Sequence, residues 1–283
     1  MAQFTNQAQL SYNGSVVASN VAVGEILEVL SASKTALRNV YSRDDTVTYV
    51  ISIINAGNTP ITGLTVTDNL GSYSSGTTTF TPLTYVDGSV LYFVDGMVQP
   101  DPFVTAGNSL VISNIAVPAN GNTIIIYEAQ VNQSAPFTTG SSIINAATVS
   151  GNGITPITVT ETITASDSPY LTITKAISPV PVTENGTLTY TFTIANYGNV
   201  PVVAADDAIV TDTFNPILSG LGVTFNGTPW TEGTNYTYDE TTGLFSTLPG
   251  QLVVPAATYT QDPETGNIVT TPGTSTLVVT GIV

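Results

Sequence analysis

Residues Thr46–Ile61 read TVTYVISIINAGNTPI, and Thr187–Val202 read TLTYTFTIANYGNVPV. In each, apolar residues alternate with polar ones and the run ends at an Asn-x-Gly-Asn turn. That period of two marks a half-buried β-strand. The same strand written twice predicts a duplicated domain.

The duplication extends outward from this strand. Thr65–Leu70, TVTDNL, aligns with Ile209–Phe214, IVTDTF, and Val117–Ile126, VPANGNTIII, aligns with Thr270–Val279, TTPGTSTLVV. Short strands at close spacing with turn residues between them predict an all-β chain of two tandem immunoglobulin-like β-sandwiches. The expected division is residues 24–165, a linker at 166–169 and residues 170–283. Residues 1–23 stand apart as a donor β-hairpin or strand.

Composition points the same way. The chain has 283 residues, 42% of them hydrophobic, enough for two cores. Only 8% are charged, against the usual quarter or so. The net charge of −16 repels nucleic acid and anionic membranes, so neither is expected as a partner. With no cysteine and no histidine there are no disulfides, no thiol chemistry and no His-based triads. No apolar run reaches membrane-spanning length, and MAQFTNQAQL has neither a basic region nor an apolar core, so no secretory signal is expected. No metal or cofactor is expected.

The stretch Phe4–Val23, FTNQAQLSYNGSVVASNVAV, reads as a hairpin turning at Asn13-Gly14. Its first strand, NQAQLSYNG from Asn6 to Gly14, agrees at five of nine positions with NAATVSGNG from Asn145 to Gly153. In the first unit this segment and Thr155–Thr164 close the repeat. The second unit runs to Val283 without them. The closing hairpin therefore stands at the front of the chain, ahead of any unit it could close.

TVTYVISIINAGNTPITGLTVTDNL together with NAATVSGNG resembles the bacterial and archaeal surface-repeat family known as "domain of unknown function eleven". The likeness spans nearly the whole chain as two units. It implies an extracellular stalk or coat sandwich rather than an enzyme acting on a substrate. Family members usually sit behind signal peptides in long arrays, and this chain departs on both counts. The size, acidity and missing signal also resemble structural proteins of endospore appendages, which need no export signal.

A sandwich lacking its last strands exposes a sheet edge and an apolar cleft, and a strand from another molecule satisfies both. Phe4, Asn6, Ala8, Leu10 and Tyr12 alternate onto one face suited to that cleft. Self-closure requires a sharp fold between the units, so donation to a neighbour is expected. A head-to-tail contact that does not close into a ring makes an open filament. The expected partner is the chain itself, in a cell- or spore-surface appendage. The alternatives are a hairpin packed on the first unit or simply disordered, and a monomeric two-domain adhesin or carbohydrate-binding module.

The chain has two lysines, Lys34 and Lys175, at equivalent places in the first strands of the two units. Alternation puts each on the apolar face of its strand, as it does Asp68, Asp212 and Asn145. Asn6 takes the place of Asn145 for the second unit. Burying a lone charge is costly. Lysine, aspartate and asparagine together predict either a buried ion pair with an amide partner or a Lys–Asn isopeptide bond, with the aspartate as proton shuttle. The self-crosslinked sandwiches of bacterial adhesins and pili are similar in this arrangement. The expected sets are Lys34–Asn145 with Asp68 inside one chain, and Lys175–Asn6 with Asp212 between chains.

Other signals carry less. Asp44-Asp45 and Asp206-Asp207 lack calcium-loop spacing and read as solvated turns. The Asn-x-Ser/Thr sequons are what an Asn- and Thr-rich chain contains by chance. Trp230, Tyr236 and Tyr238 fit either packing or a glycan-binding loop.

Overall fold

The computed structural model describes the chain except Met1, Leu27 and Asn152, and except the side chains of Ala2 and Ile26. Asn152, matched to Asn13 in the sequence comparison, thus lies outside the described residues. The described chain is all β-structure apart from one short 3-10 turn at Ala204–Asp206. It forms two immunoglobulin-like β-sandwiches in tandem and an N-terminal hairpin, as the alternation predicts.

By contacts, the first compact unit comprises Met1–Asn39, Asp44–Asn132 and Ile143–Ile163, and the second Val40–Arg43, Gln133–Ser142 and Thr164–Val283. Two short segments that precede residue 164 in the chain, Val40–Arg43 and Gln133–Ser142, therefore group with the second unit.

The first unit stacks two sheets. One places Gly121–Val131 beside Thr46–Asn55, with Leu30–Ala36 at the edge. The other runs Phe103–Ala106, Leu110–Val117, Ile61–Asp68, Ser142–Ser150, Ile157–Ala165. Alternate side chains of each strand meet in the middle: Val47, Tyr49, Ile51 and Ile53 from one sheet, Leu64, Val66, Ile112 and Val149 from the other, all fully buried.

In the second unit, Leu171–Ser178, Thr187–Asn196, Gly273–Ile282, Ser219–Phe225 and Thr228–Trp230 form one sheet in that order. Facing it is a sheet of only three strands, Thr211–Thr213, Leu244–Thr247 and Tyr236–Asp239. Leu188, Tyr190, Phe192, Phe214, Phe245, Leu277 and Val279 are among the core side chains.

Register corrects one alignment. Gly121 lies opposite Asn55, and Gly273 lies opposite Asn196. Asn55 and Asn196 are equivalent, so Gly121 matches Gly273, one residue away from the sequence alignment of Val117–Ile126 with Thr270–Val279. The turn residues Asn120-Gly121 and Pro272-Gly273 now coincide. A one-residue slip reverses every side chain, and the corrected register puts Val279 where the first unit has Tyr127.

The hairpin is longer than expected and reaches Ile26 rather than Val23. Ala2–Asn6 pairs with Ala22–Ile26, and Gln9–Tyr12 with Ser15–Ala18. Asn13 and Gly14 both have positive φ, as a two-residue hairpin turn with right-handed strand twist requires. Between the two ladders, two residues on the first strand face three on the second, a bulge closed by Ser19 N–H donating to Ala8 O. Each ladder has only two strands.

Candidate functional site: a buried lysine cluster and its open counterpart

In the first unit, alternation along four strands delivers four polar side chains into the core. Lys34 comes from Leu30–Ala36, Asp68 from Ile61–Asp68, Tyr127 from Gly121–Val131 and Asn145 from Ser142–Ser150. All four are buried, and the side chains of Lys34 and Asp68 have no exposed surface.

The hydrogen bonds form a chain. Lys34 Nζ donates to Asp68 Oδ2 at 2.6 Å, and the Tyr127 hydroxyl donates to the same oxygen at 2.6 Å. Asp68 Oδ1 accepts from Leu70 N–H at 2.9 Å. Asn145 Nδ2 donates to the Tyr127 oxygen at 3.0 Å, and Asn145 Oδ1 accepts from Gly71 N–H at 3.2 Å. The path from lysine to asparagine thus runs through Asp68 and Tyr127. Tyr49 stacks on Tyr127 with ring centroids 5.4 Å apart, and Lys34 Nζ lies 4.8 Å from the Tyr49 ring centre.

Electrostatics follow from the burial. Desolvation pushes the Lys34 ammonium down to about 8, outweighing the Asp68 charge and hydrogen bond that hold it up. The charge of Glu161 also favours the ammonium. Burial and then the Asp68 charge push the Tyr127 phenol well above its ordinary value, so it stays a donor.

The structure places the three sequence candidates Lys34, Asp68 and Asn145 in one cluster, with Lys34 reaching Asn145 only through Asp68 and Tyr127. It adds Tyr127 and Glu161, which sequence reasoning missed. The alternation Ile125-x-Tyr127-x-Ala129, all three buried, was the signal that could have found Tyr127, but the aligned segment Val117–Ile126 stopped one residue short of it. Glu161 shares the half-buried face of Ile157–Ala165 with Val159 and Ile163. The register that brings Thr148 and Thr158 together and bonds Ala165 N–H to Ser141 O sets Asn145 opposite Glu161.

The second unit repeats only half of this. Lys175 Nζ donates to Asp212 Oδ2, and the ammonium lies 4.3 Å from the Tyr190 ring centre. Phe214, rather than a tyrosine, stacks on Tyr190 at 4.8 Å. The ion pair is open: 39% of the Lys175 side chain and 19% of the Asp212 side chain are exposed.

The cause is the missing cover. Asp68 sits on a strand with neighbours on both sides, Leu110 opposite on one and Ala147 on the other. Asp212 has Phe245 opposite on one side, and the other side of Thr211–Thr213 is a sheet edge. Leu171, Ile173 and Ile177, the apolar companions of Lys175, are 41%, 53% and 47% exposed. The face that reads as core in the sequence is therefore bare in this chain.

The hairpin is bare as well. Phe4, Asn6, Ala8, Leu10 and Tyr12 are all exposed, as are Val16, Val17, Val21 and Val23. Asn6 lies opposite Ala22 in the ladder. The ring of Phe4 lies across Gly24, where a Cβ would come within 2.3 Å of it.

The weaker candidates resolve simply. Among the described residues no group of three or more Asp, Glu, His or Cys is placed to hold a metal ion. Trp230 stacks on Phe225 at 4.9 Å, Tyr236 is buried, and the Tyr238 hydroxyl exchanges hydrogen bonds with the Leu218 backbone. These side chains pack the second unit rather than line a loop.

No family model and no curated protein matches the chain. Solved structures resemble it. The major pilin subunit of Bacillus cereus is 13% identical, with 96% of this chain and 73% of that one covered, at a TM-score of 0.37. A C-terminal fragment of the major pilin of Streptococcus agalactiae is 12% identical over 86% of this chain and 91% of that one, at 0.35. The collagen-binding domain from a Staphylococcus aureus adhesin is 12% identical over 47% of this chain and 95% of that one, at 0.29.

Proposed function

We propose that this chain is the structural subunit of a self-assembling surface fibre, joined head to tail when the N-terminal hairpin of one subunit completes the second unit of the next. One observation carries this reading. The edge and face left open in the second unit are those covered in the first by Ser142–Ser150, and the exposed hairpin carries a related copy of that strand. An isolated two-stranded ribbon is marginally stable in water, and an uncovered sheet edge invites pairing. Joining them removes both costs. The repeat is a form of the "domain of unknown function eleven" surface sandwich, and the fibre is an appendage of the cell or spore surface.

The buried cluster of the first unit supports an isopeptide crosslink between Lys34 and Asn145. Lys34 gives a proton to Asp68, and its free amine attacks Asn145 Cγ. The new C–N amide bond forms as the bond to Nδ2 breaks. Tyr127, hydrogen-bonded to both Asp68 and Nδ2, relays the proton that the attacking amine loses to the departing nitrogen, which leaves as neutral ammonia, while Asp68 keeps the proton it took from Lys34 and stays uncharged. A neutral amide replaces a buried ammonium, and the cost of holding that charge disappears. At the subunit junction, Lys175, Asp212 and Asn6 of the neighbouring subunit form the equivalent set.

Negative-stain microscopy of the purified full chain tests the assembly. Filaments are expected, and a chain lacking residues 1–26 should form none. Filaments from the truncated chain, or none from the full one, would overturn the reading.

A further inference from the structure

The junction has a register, and the first unit supplies its template. There Ala147 lies opposite Asp68, Thr148 opposite Thr67, Val149 opposite Val66 and Ser150 opposite Thr65. The repeat equates Asp68 with Asp212 and Asn145 with Asn6. Resting on the head-to-tail reading above, we propose that the inserted hairpin lies with Ala8 opposite Asp212, Gln9 opposite Thr211 and Leu10 opposite Val210 of the neighbouring subunit, and that this single register turns the open Lys175–Asp212 pair into a sealed site.

The backbone of the acceptor is set for this pairing. Phe214 N–H bonds to Gly243 O, Thr247 N–H bonds to Val210 O, and Val210 N–H bonds to the Thr247 hydroxyl. Val210 and Phe214 thus face the strand already present. By alternation, Thr211 and Thr213 turn their backbone groups to the open edge. In the first unit Asn69 N–H, on the matching parity, bonds to Ala146 O of the covering strand. Side-chain parity agrees as well, with Val210 buried, Ile209 and Thr211 exposed, and Asp212 between the two.

Slippage is penalised. A shift of one residue sends Asn6 and Leu10 to the outer face. A shift of two keeps the faces but carries Asn6 about 7 Å along the strand, away from Lys175. In the proposed register Leu10 covers the bare face beside Val210, and Asn6 arrives where Asn145 sits in the first unit. The sealed junction is chemically simpler than its template. Val279 stands in place of Tyr127, and Ala22 opposite Asn6 in place of Glu161, so Asp212 is its one acid.

Cysteine pairs read the register directly, because the chain has no cysteine of its own. The pair Gln9→Cys with Thr211→Cys, placed in the full chain carrying Asn6→Ala to remove the isopeptide route, should give a reducible ladder of oligomers when filaments are oxidised. Ser11→Cys with Thr211→Cys and Gln7→Cys with Thr211→Cys should give at least tenfold less. Equal ladders, or a ladder only from a control pair, in preparations that contain filaments would overturn the register while leaving the fibre intact. Absence of filaments from the unmodified chain would instead overturn the underlying reading. In the Asn6→Ala filaments, acetylation of Lys175 should be at least tenfold slower than in the chain lacking residues 1–26. Equal rates would show that insertion does not seal the site.

Discussion

Lys34 and Lys175 hold equivalent positions, each hydrogen-bonded to an aspartate on a strand of the facing sheet, yet one side chain is wholly buried and the other is 39% exposed. The two units thus present a closed and an open version of one site. The difference lies in a covering strand, not in the lysine, the aspartate or the aromatic ring beneath them.

If the closed version has reacted, the purified chain is one ammonia lighter than its sequence mass, and Lys34→Met or Asn145→Ala restores the full mass. The bond closes a loop of roughly a hundred residues. By the chain-entropy argument used for crosslinks, its loss should lower stability by roughly 4–5 kcal/mol. Intact mass and urea unfolding check both outcomes. Full mass in the unmodified chain would leave only the buried ion pair.

Tyr127→Phe removes the hydroxyl that joins Asp68 to Asn145 while keeping the stacked ring. The buried Asn145 amide then loses its acceptor, at a cost of about 1–3 kcal/mol. In the crosslinking scheme it also slows ammonia release, so a fraction of the purified chains should keep full mass. An unchanged unfolding midpoint together with complete crosslinking would contradict the assigned role.

In a chain whose Lys34 remains an amine, such as Asn145→Ala, stability should depend on alkaline pH. Burial lowers the folded value to about 8 from 10.5, so between those values the unfolded state holds more protons. Stability therefore rises with pH across that window and is flat below it. The comparison chain, Lys34→Met with Asn145→Ala, should lack the rise. So should the crosslinked chain, whose amide nitrogen does not titrate.

Asn6→Ala should leave filament formation intact and make the filaments dissociate into monomers in hot denaturant. Asp212→Asn should do the same by removing the junction's one acid. Ladders persisting on a denaturing gel from either variant would place the covalent link elsewhere.

Leu10→Asp puts a charge on the hairpin face meant for the apolar cleft. Filaments should be lost, with the circular dichroism spectrum of the chain unchanged, because Leu10 is 68% exposed in the unassembled chain. Normal assembly would show that another surface makes the contact.

Much of the site was legible in sequence because strand alternation is local. Placing Lys34, Asp68 and Asn145 on inner faces needs only a count of two along each strand. Tyr127 escaped because its stacking on Tyr49 depends on how Gly121–Val131 pairs with Thr46–Asn55, and its bond to Asp68 on how the two sheets face each other, neither of which a count along one strand reports. Glu161 escaped because its neighbour across the ladder is sixteen residues away and is set by a turn whose length the alternation does not report.

By itself, the sequence determined that the chain is all-β, that it is a repeat, that a hairpin turns at Asn13-Gly14 and that two lysines occupy matching strands. These follow from backbone periodicity and turn chemistry, which act over a few residues. Only the tertiary structure decided which of those matching faces is covered. Leu171, Ile173 and Ile177 read as core by their pattern, and they are exposed because burial requires a covering strand that no local rule supplies. Whether a lysine is sealed or open is likewise settled by the strand laid over it.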